Sequence, residues 1–591
     1  MGFPTKTVAA AVLGAAICTL MLVMLPRTSD SSYTGSVSVG SAAYAAPAGA
    51  LFVSPGGNDQ ASGLVAAPLR TVTAAVNRAT AGQTIVLRAG TYHESVTIPA
   101  AKNGVTIQAY PHETVWFDGT SAVTGWAQQG SVYVRSNWTA LFSHNASFIS
   151  GQYPSGQSPF VGSQNPMAAW PDAVWIDDVQ QRQVATKAQV VPGTFFVDYT
   201  TKQLVLGTNP SGHSVRASDL QQAIISLAPS VKLQGFGVRR YATTLDQLGT
   251  VRIQGTGSSL RDLVITENST QGLSIITSKV LLERISSTNN GMTGIHGNNA
   301  DGLIVRDCLA QGNNAQQFNP SPSAAGMKIG RTRGVTVENS EFTANQANGL
   351  WFDEAVVGFT VVDSRFTGNT VGAELELSDT GIFANNAITG GKQALYIYNT
   401  GNVQVYNNSF ANYTVGGVFM SQDHRRQANP DDPGHDPRYP AGDPTNPWLT
   451  RNITVANNTF GASQGLFQVY ALDKETKIPA DKMNLTINGN QFAPTPTMVG
   501  WGGSDNVTVT KYTTPAALAT AKNTTWRNTQ VNPLPPAPPP QATPPLSPSP
   551  PPSPPPSAPP PAPNKSAPTS AAHQTAGTSR PKVSKLQVKK L

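Results

Sequence analysis

The sequence predicts an all-β protein built as a right-handed parallel β-helix, and three observations support this fold. Glycine and proline are abundant, with 53 and 47 residues, whereas charged residues make up only 12% of the chain. Helical proteins are instead rich in alanine, leucine, glutamate and lysine, so this composition favours short strands and turns. Two families of short strands also recur along the chain, each at a regular interval.

The first strand family opens at a small residue and then alternates in polarity. The openings are Gly272, Gly294, Gly326, Gly349, Gly372, Ala394, Gly417 and Gly465, at intervals of 22, 32, 23, 23, 22, 23 and 48 residues. An interval of 22 or 23 residues fits one coil of a β-helix, and the two longer intervals fit a coil plus a loop. Stacked coils share one continuous core, so the length of the chain does not require several domains.

The second strand family follows the first at a fixed offset, as in the segment Asn402-Val-Gln-Val-Tyr-Asn-Asn-Ser-Phe. Stacking these strands predicts an internal apolar column and an asparagine ladder at a turn. The column contains Phe342, Phe366, Ile388, Phe410 and Phe460, and the ladder contains Asn385, Asn407 and Asn457. We assign no chemistry to these residues, because their stacked contacts satisfy buried side chains and backbone groups.

The chain divides into five predicted segments. Residues 1–46 are a signal peptide, with an apolar run behind Lys6 and small residues that suit cleavage at 43–46. Residues 47–119 hold the first coils and an amphipathic helix over 69–79 that caps the open end of the core. Residues 120–225 read as an inserted module of paired β-strands. Residues 226–532 form the β-helix with its groove, and 533–591 form a Pro-rich, disordered tail with a basic tip.

The net charge of +7 does not indicate nucleic-acid binding, because it lies at the two ends of the chain. The tail after 532 carries six basic residues and no acidic one, and the body between 31 and 532 is neutral. A neutral body is poorly suited to follow a phosphate backbone. We expect a secreted or cell-envelope protein without a membrane span after cleavage, although an uncleaved N-terminal anchor is an alternative. The basic tip is either simply solvated or in contact with an anionic envelope.

The two faces of the first strand family differ in chemistry. Side chains alternate along a strand, so positions one and three after the opening residue share a face, and positions two and four share the other. The first face is apolar in every coil and predicts the core. The second face reads, coil by coil, Ser274/Ile276, His296/Asn298, Lys328/Gly330, Trp351/Asp353, Glu374/Glu376, Tyr396/Tyr398 and Phe419/Ser421.

The outward residues of the middle coils are typical of a groove that binds sugars, because aromatic faces beside polar groups suit sugar rings. Asp353 and Glu376 occupy the same offset on adjacent coils, which predicts backbones about 4.8 Å apart. Carboxyl groups about 5 to 5.5 Å apart are the arrangement of retaining glycosidases. Two acids this close also shift each other's pKa, so one can stay protonated while the other is ionised. Two insertions, 312–325 and 422–450, leave the same flank and could wall the groove.

These residues resemble the catalytic segment of the β-xylosidase type of parallel β-helix glycoside hydrolases, which carry a β module inserted in the helix. The likeness lies in Gly349-Leu-Trp-Phe-Asp353, followed by Glu376 one coil later, and in the inserted stretch Val174-Trp-Ile-Asp-Asp. The resemblance implies that Asp353 is the nucleophile and Glu376 the acid/base. Glu354 stands where the family tends to have an aromatic residue, and Ser378-Asp379 stands where a His-Gly would follow.

We therefore predict a retaining glycoside hydrolase that acts on a polysaccharide or oligosaccharide and needs no cofactor or metal. The predicted substrate contacts are His296, Lys328, Trp351, Glu354, Glu374, Tyr396 and Tyr398. A pectin-lyase-like β-helix allows two other functions. One is a polysaccharide lyase with Lys328 as the base and calcium on aspartates, since Gly326-Met-Lys-Ile-Gly resembles the lysine segment of pectate lyases. The other is a glycan-binding or wall-associated protein without catalysis, in which the charged residues form only a surface network.

Overall fold

A computed structural model describes residues 35–153, 158–429, 431–432, 434–440, 442–505 and 507–531. The predicted signal peptide lies outside the described residues apart from 35–46, and the predicted Pro-rich tail lies entirely outside them. Among the residues that the structure describes, no helix has both the length and the apolar character needed to cross a membrane.

The described residues form a right-handed parallel β-helix, which confirms the predicted fold. Its long sheet holds 24 strands, and many coils contribute two successive strands to it. These strands are Leu51–Val53, Thr84–Leu87, Gly90–Tyr92, Thr106–Ala109, Val115–Asp118, Lys232–Gln234, Gly237–Arg239, Ser259–Thr266, Leu281–Thr288, Ile304–Arg306, Leu309–Gln311, Thr336–Glu338, Glu341–Thr343, Val357–Val362, Arg365–Thr367, Asp379–Ala384, Ala387–Thr389, Gly401–Tyr406, Ser409–Ala411, Ile453–Ala456, Thr459–Phe460, Leu485–Asn488, Gln491–Phe492 and Thr529–Gln530.

A second sheet, called here the site sheet, takes one strand from each coil. Its 13 strands are Val96–Ile98, Ile224–Ser226, Val251–Ile253, Gln271–Ile275, Thr293–Asn298, Ala325–Gly330, Asn348–Asp353, Val371–Glu376, Gln393–Tyr398, Gly416–Gln422, Phe467–Asp473, Val499–Gly502 and Val509–Tyr512. All its pairings are parallel except the last, where Val509–Tyr512 runs antiparallel to Val499–Gly502. The register joins equal offsets of successive coils, such as Leu350 with Ala373.

The core is built from repeated columns, as the sequence predicts. Phe342, Phe366, Ile388, Phe410 and Phe460 pair in that order on successive strands, and all are buried. The rings of Phe342 and Phe366 stack with centroids 4.9 Å apart. This arrangement gives each side chain the same kind of neighbour above and below, which is how a repeat protein extends one core.

The asparagine ladder lies one residue later than the sequence analysis places it. Asn386, Asn408, Asn458, Asn490 and Asn528 are linked in that order, each side-chain oxygen accepting from the backbone N–H and the side-chain amide of the one before. The predicted residues Asn385, Asn407 and Asn457 instead adopt φ angles of 56° to 57°. Asparagine tolerates this left-handed conformation better than most residues. The two asparagines of each consecutive pair therefore have different structural roles, since the first adopts the left-handed turn and the second forms the ladder.

A short helix, Val72–Arg78, covers the first coils and buries Val72, Ala75 and Val76. It begins later than predicted, because the Thr71 side chain caps it while Leu69 bonds to the first strand through Phe52. The other helices are Pro320–Ser323 and Pro515–Lys522, with 3-10 turns at Lys187–Gln189, Leu245–Gln247 and Ala480–Lys482.

A third sheet interrupts the helix and consists of eight strands. They are Thr120–Ala122, Ala127–Gln129, Val132–Ser136, Val174–Ile176, Val179–Gln183, Thr194–Asp198, Gln203–Leu206 and Val215–Ser218. This inserted sheet has its own core, which includes Phe195 and Leu204. The chain returns to the helix at Ile224, which pairs with the site sheet on both sides. The segment before Val174 packs Phe160 and its neighbours against Met292 and Phe318 of the helix.

Candidate active site

The outward side of the site sheet carries two columns of side chains, and the predicted site residues other than Glu354 lie on them. One column runs Ser274, His296, Lys328, Trp351, Glu374, Tyr396, Phe419 and Tyr470. In the other column Gly330 pairs with Asp353, and Glu376 pairs with Tyr398. Phe352 pairs with Leu375, so Asp353 and Glu376 follow that pair at the ends of adjacent strands. Parallel neighbours of this kind lie about 4.8 Å apart along the sheet.

The polar residues on these columns are far less exposed than residues on an uncovered outward face would be. His296, Asp353 and Glu376 are each 8% exposed, and Glu374 is 9% exposed. The insertions explain this difference, since the Pro322 carbonyl contacts Lys328 and Arg425 contacts Glu376. The carboxylates therefore lie in a low-dielectric site in which charges interact more strongly than in water.

Asp353 accepts a hydrogen bond at each of its side-chain oxygens. Lys328 Nζ donates to Asp353 Oδ2 at 2.8 Å, and the backbone N–H of Glu354 donates to Oδ1 at 2.7 Å. Lys328 Nζ also donates to the Pro322 carbonyl and lies 3.6 Å from the centre of the Trp351 ring. The lysine Nζ is therefore held between the Asp353 carboxyl group, the Pro322 carbonyl and the face of the Trp351 ring.

Glu376 has a different electrostatic environment. Its Oε1 accepts from Arg425 at 2.6 Å, and its Oε2 accepts from the indole N–H of Trp351 at 3.1 Å. Burial and the nearby Asp353 carboxylate nevertheless raise the pKa of Glu376 to about 7, against the opposing effect of Arg425. Near neutral pH this carboxyl group can therefore gain or lose a proton.

Glu374 pairs with Trp351 of the adjacent strand in the site sheet, and its carboxyl group accepts a hydrogen bond from the Asn348 side-chain amide at 2.5 Å. Burial, followed by repulsion from Glu376, raises the pKa of Glu374 to about 8. A protonated Glu374 can donate a hydrogen bond as well as accept one. It is thus suited to contact a hydroxyl group rather than to act as a second permanent anion.

Tyr396 and Tyr398 continue the two columns beyond the glutamates. Their rings stack with centroids 5.1 Å apart and an interplanar angle of 13°. The Tyr398 hydroxyl donates to Asp423 at 2.7 Å, and Lys474 Nζ donates to the Tyr396 hydroxyl at 3.3 Å. Both rings are only partly buried, so this end of the site offers an aromatic surface with polar groups at its edge.

Two of the predicted substrate contacts, His296 and Glu354, have side-chain partners other than the carboxylates of the two columns. His296 is buried beneath Phe148, and its Nδ1 lies 2.9 Å from the Ser274 hydroxyl. Burial lowers the pKa of His296 to about 4, so the ring is neutral at neutral pH. The Glu354 side chain pairs with Arg331 at 3.0 Å and is 37% exposed. Ser378 and Asp379 are buried at the following turn, where the Ser378 hydroxyl donates to the Glu376 carbonyl.

Sequence reasoning missed Arg425 and Asn348. Arg425 donates to both Glu376 and Asp423, so it joins the acid to the neighbouring aromatic surface. The available signal was its place in the insertion 422–450, which the sequence analysis predicted to wall the groove. Asn348 carries no such signal, because an asparagine beside the opening glycine is common in turns. Within the described parts of the chain, no three or more His, Cys, Asp or Glu side chains group in a way that could hold a metal ion.

Comparisons with known proteins agree with the architecture. Residues 317–430 match a family model described as a right handed beta helix region, and residues 55–103 match one described as a protein of unknown function (DUF1565). Pectate lyase PEL9 of Emericella nidulans is 43% identical over 74 residues, which are 12% of this chain and 18% of that protein. The uncharacterized protein YwoF of Bacillus subtilis is 39% identical over 74 residues, 12% of this chain and 16% of that protein.

The matched stretch therefore spans less than a fifth of either curated relative. A solved structure described as the complex structure of XylC with xylose superposes over 75% of this chain and 83% of that chain, with a TM-score of 0.58 and 15% identity. This likeness concerns the fold. Together with the observed sheets and the family-model match, it shows that the chain has the fold of a right-handed parallel β-helix.

Proposed function

We propose that the chain is an exported carbohydrate-active enzyme, a retaining glycoside hydrolase in which Asp353 is the nucleophile and Glu376 the acid/base. The observation that carries this proposal is the contrast between two neighbouring carboxyl groups. Asp353 is paired with a lysine, whereas Glu376 has a pKa raised to about 7. A retaining hydrolase needs one carboxylate that attacks and one carboxyl group that exchanges a proton.

In the first step, Asp353 Oδ attacks the anomeric carbon of the bound sugar and displaces the glycosidic oxygen. Glu376 gives its proton to that oxygen, so the leaving group departs as a neutral alcohol. In the second step, the Glu376 carboxylate takes a proton from water, and the resulting hydroxide equivalent attacks the anomeric carbon and releases Asp353. Each residue ends in the state in which it began.

The surrounding residues support both states of this cycle. Arg425 and the Trp351 indole N–H donate to Glu376, which stabilises the anion formed after the first step. Lys328 stabilises Asp353 before attack and again after its release. Tyr396 and Tyr398 supply an aromatic surface for the C–H face of a sugar ring, and Glu374 supplies a partner for a hydroxyl group.

The comparisons support a carbohydrate substrate without specifying the reaction. A pectate lyase shares a short stretch of sequence with this chain, and the fold neighbour was solved with xylose. Xylosides and pectic polysaccharides are therefore the first substrates to test. Export and the contact of the basic tail with an anionic cell envelope belong to the same proposal, and cell fractionation with and without residues 533–591 tests both.

A polysaccharide lyase is the second candidate, because a pectate lyase is among the relatives. A lyase of this type requires a neutral basic group to remove a proton from the sugar. The Lys328 Nζ already bonds to Asp353 and to the Pro322 carbonyl, so it is engaged by protein groups rather than directed at a substrate. A lyase would release unsaturated sugars that absorb ultraviolet light and would depend on calcium, whereas the proposed hydrolase should retain activity with chelators. A glycan-binding protein would show affinity without turnover.

The direct test compares Asp353→Asn and Glu376→Gln with the wild-type protein on a panel of aryl glycosides. Both changes preserve side-chain size, so thermal unfolding should remain cooperative while hydrolysis of an unactivated glycoside falls at least about a thousandfold. Glu376→Gln should retain more activity on a dinitrophenyl glycoside, whose leaving group needs no proton. Azide should restore turnover to Asp353→Gly and give a glycosyl azide. Full activity of Asp353→Asn would disprove the assigned roles.

A further inference from the structure

A cavity of about 430 Å³ lies where the inserted module meets the β-helix, away from the carboxylates. It is lined by residues 139–142 of the inserted module together with Ser95, residues 219–222, Ile225 and Gln247. Its volume falls in the range of about 300–1,000 Å³ that is usual for small-molecule sites. We refer to this cavity as the amide pocket, because Gln221, Gln222 and Gln247 line it.

The amide pocket lies on the same outward column as the candidate active site. Ile225, which lines the pocket, is followed on successive strands by Arg252, Ser274, His296, Lys328 and Trp351. At about 4.8 Å per strand, Ile225 and Trp351 are roughly 24 Å apart. His296 lies beneath Phe148, so the inserted module covers part of the column between the two sites.

The polar groups of the amide pocket are fixed before any ligand enters. The Gln222 amide N–H groups donate to the Gln247 carbonyl at 3.1 Å and the Gly249 carbonyl at 3.0 Å, which leaves the amide oxygen as an acceptor. The Gln247 amide oxygen accepts from the Thr244 N–H at 3.0 Å, which leaves its NH₂ group as a donor. A fixed acceptor and a fixed donor beside apolar Leu141, Phe142 and Ile225 match the hydroxyl and C–H surfaces of a sugar.

The charge of the amide pocket favours an uncharged ligand. Asp219 is its charged lining residue, and hydrogen bonds from its partners, His93 first, lower the pKa of this carboxyl against the effect of burial. His93 Nε2 lies 3.1 Å from Asp219 Oδ1. No lysine or arginine lines the pocket in the described structure. Among the lining residues, a sugar carboxylate would therefore meet the like charge of Asp219 and no cation. Arg252, one strand beyond Ile225, donates to the Gln247 carbonyl at 3.0 Å instead.

The inserted module positions the outer wall. The backbone N–H of Phe142 donates to the Tyr199 hydroxyl at 3.3 Å, and that hydroxyl donates to Asp172 at 2.8 Å. Asp172 is buried and also accepts from Gln183. This chain of hydrogen bonds attaches the wall to the inserted sheet, so a β-helix without the insertion would have no such pocket.

We propose that the amide pocket is a separate binding site for neutral sugar residues of a polysaccharide, distinct from the carboxylates. The inference rests on the proposed carbohydrate function but does not require hydrolysis. Neutral polymer bound there remains attached to the protein while the carboxylates act on another stretch of the same or a neighbouring chain. The pocket thus gives the inserted module a role in substrate capture.

The experiment uses the full chain carrying Glu376→Gln, so that polymers are not degraded, and measures binding by calorimetry. The probes are xylan and glucomannan as neutral polymers, and polygalacturonate as an acidic one. Ile225→Trp fills the pocket and Gln222→Ala removes its fixed acceptor. Val179→Trp, at a residue of the inserted sheet that is 64% exposed and outside the pocket, is the matched control.

We expect the parent protein to bind at least one neutral polymer more tightly than polygalacturonate, with a loss of about tenfold or more in both pocket variants and none in the control. Unchanged affinity in both pocket variants, or no binding of either neutral polymer, would overturn the proposal. The same Ile225→Trp change in an otherwise wild-type chain should leave hydrolysis of a small aryl glycoside unchanged. If the wild-type chain hydrolyses nothing but its neutral-polymer binding is lost in Ile225→Trp, the hydrolase fails and the pocket stands.

Discussion

Phe352 and Asp353 are adjacent in the chain but belong to opposite faces of the site sheet, and the two faces follow different rules. The inward column repeats one kind of residue, as in Leu273, Ile295, Met327, Leu350, Ala373, Leu395 and Val418, all fully buried. The outward column changes its chemistry at each strand from Ser274 to Tyr396. Repetition therefore identifies the scaffold of a repeat protein, whereas departures from repetition on the outward face identify the candidate site.

The physical reason lies in what each face contacts. An inward side chain meets the same residue type one coil above and one coil below, so any change disturbs two neighbours. An outward side chain meets whatever the insertions bring, here Pro322 over Lys328 and Arg425 over Glu376. The outward face is consequently free to vary, and its chemistry depends on loops that differ from coil to coil.

The largest effect on stability should come from the inward columns. Phe366→Ala removes a ring that stacks on Phe342 and contacts Phe383, with centroids 4.9 Å and 5.9 Å away. We expect the free energy of unfolding to fall by about 3–5 kcal/mol, measured by denaturant titration. The aryl-glycoside turnover of the folded fraction should be unchanged, because Phe366 lies on a strand of the long sheet and not on the site sheet. A change in turnover without loss of stability would contradict the separation of the two faces.

The asparagine ladder should show a smaller effect that distinguishes two adjacent residues. Asn408→Ala removes the side chain that accepts from the Asn386 backbone and donates to the Phe383 carbonyl. Leaving these buried groups without partners should lower the free energy of unfolding by about 1–3 kcal/mol. Asn407→Gly is the matched control and should be nearly neutral, because the φ of 57° at this exposed position suits glycine. Equal losses for both changes would mean that the ladder has no specific role.

The extent to which sequence could predict this molecule follows from the same comparison. The interval of 22 or 23 residues defined the coils, and alternation separated the core face from the outward face correctly. The ladder was displaced by one residue, because each of the three turns used for that prediction contains two consecutive asparagines, and the sequence does not tell which of the two is buried. Periodicity thus determined strand register but not the geometry of the turn.

The candidate site was less accessible to prediction. Lys328, Trp351, Asp353, Glu374 and Glu376 lie together as the register indicated, yet their burial depends on residues far away in sequence. Arg425 lies outside any strand, in an insertion without a repeat. The repeat pattern therefore could not predict that its side chain contacts Glu376. His296 has the expected face and strand, but the inserted module covers it.

Arg425→Met tests how strongly the insertion controls the outward face. Arg425 opposes the rise in the pKa of Glu376, so its removal should raise that pKa above about 7. If Glu376 is the acid, the protonated form persists to higher pH, and the alkaline limb of the kcat/KM profile should move upward by about one pH unit. Arg331→Met is a control, because Arg331 pairs with Glu354 instead. A downward shift, or an equal shift in the control, would contradict this assignment.

Glu354→Gln should produce the smallest effect on stability. It tests whether Glu354, which follows Asp353 in the chain, contacts the substrate. The ion pair of Glu354 with Arg331 is partly exposed, at 3.0 Å, and such pairs stabilise proteins by less than about 1 kcal/mol. We therefore expect thermal unfolding to be nearly unchanged. If Glu354 contacts the substrate as predicted, KM for an oligosaccharide should rise severalfold while kcat is retained, because the contact would be the same before and during the reaction. An unchanged KM would mean that Glu354 does not contact the substrate. The site would then consist of the residues on the two outward columns alone, with Asp353 as its last residue on that strand.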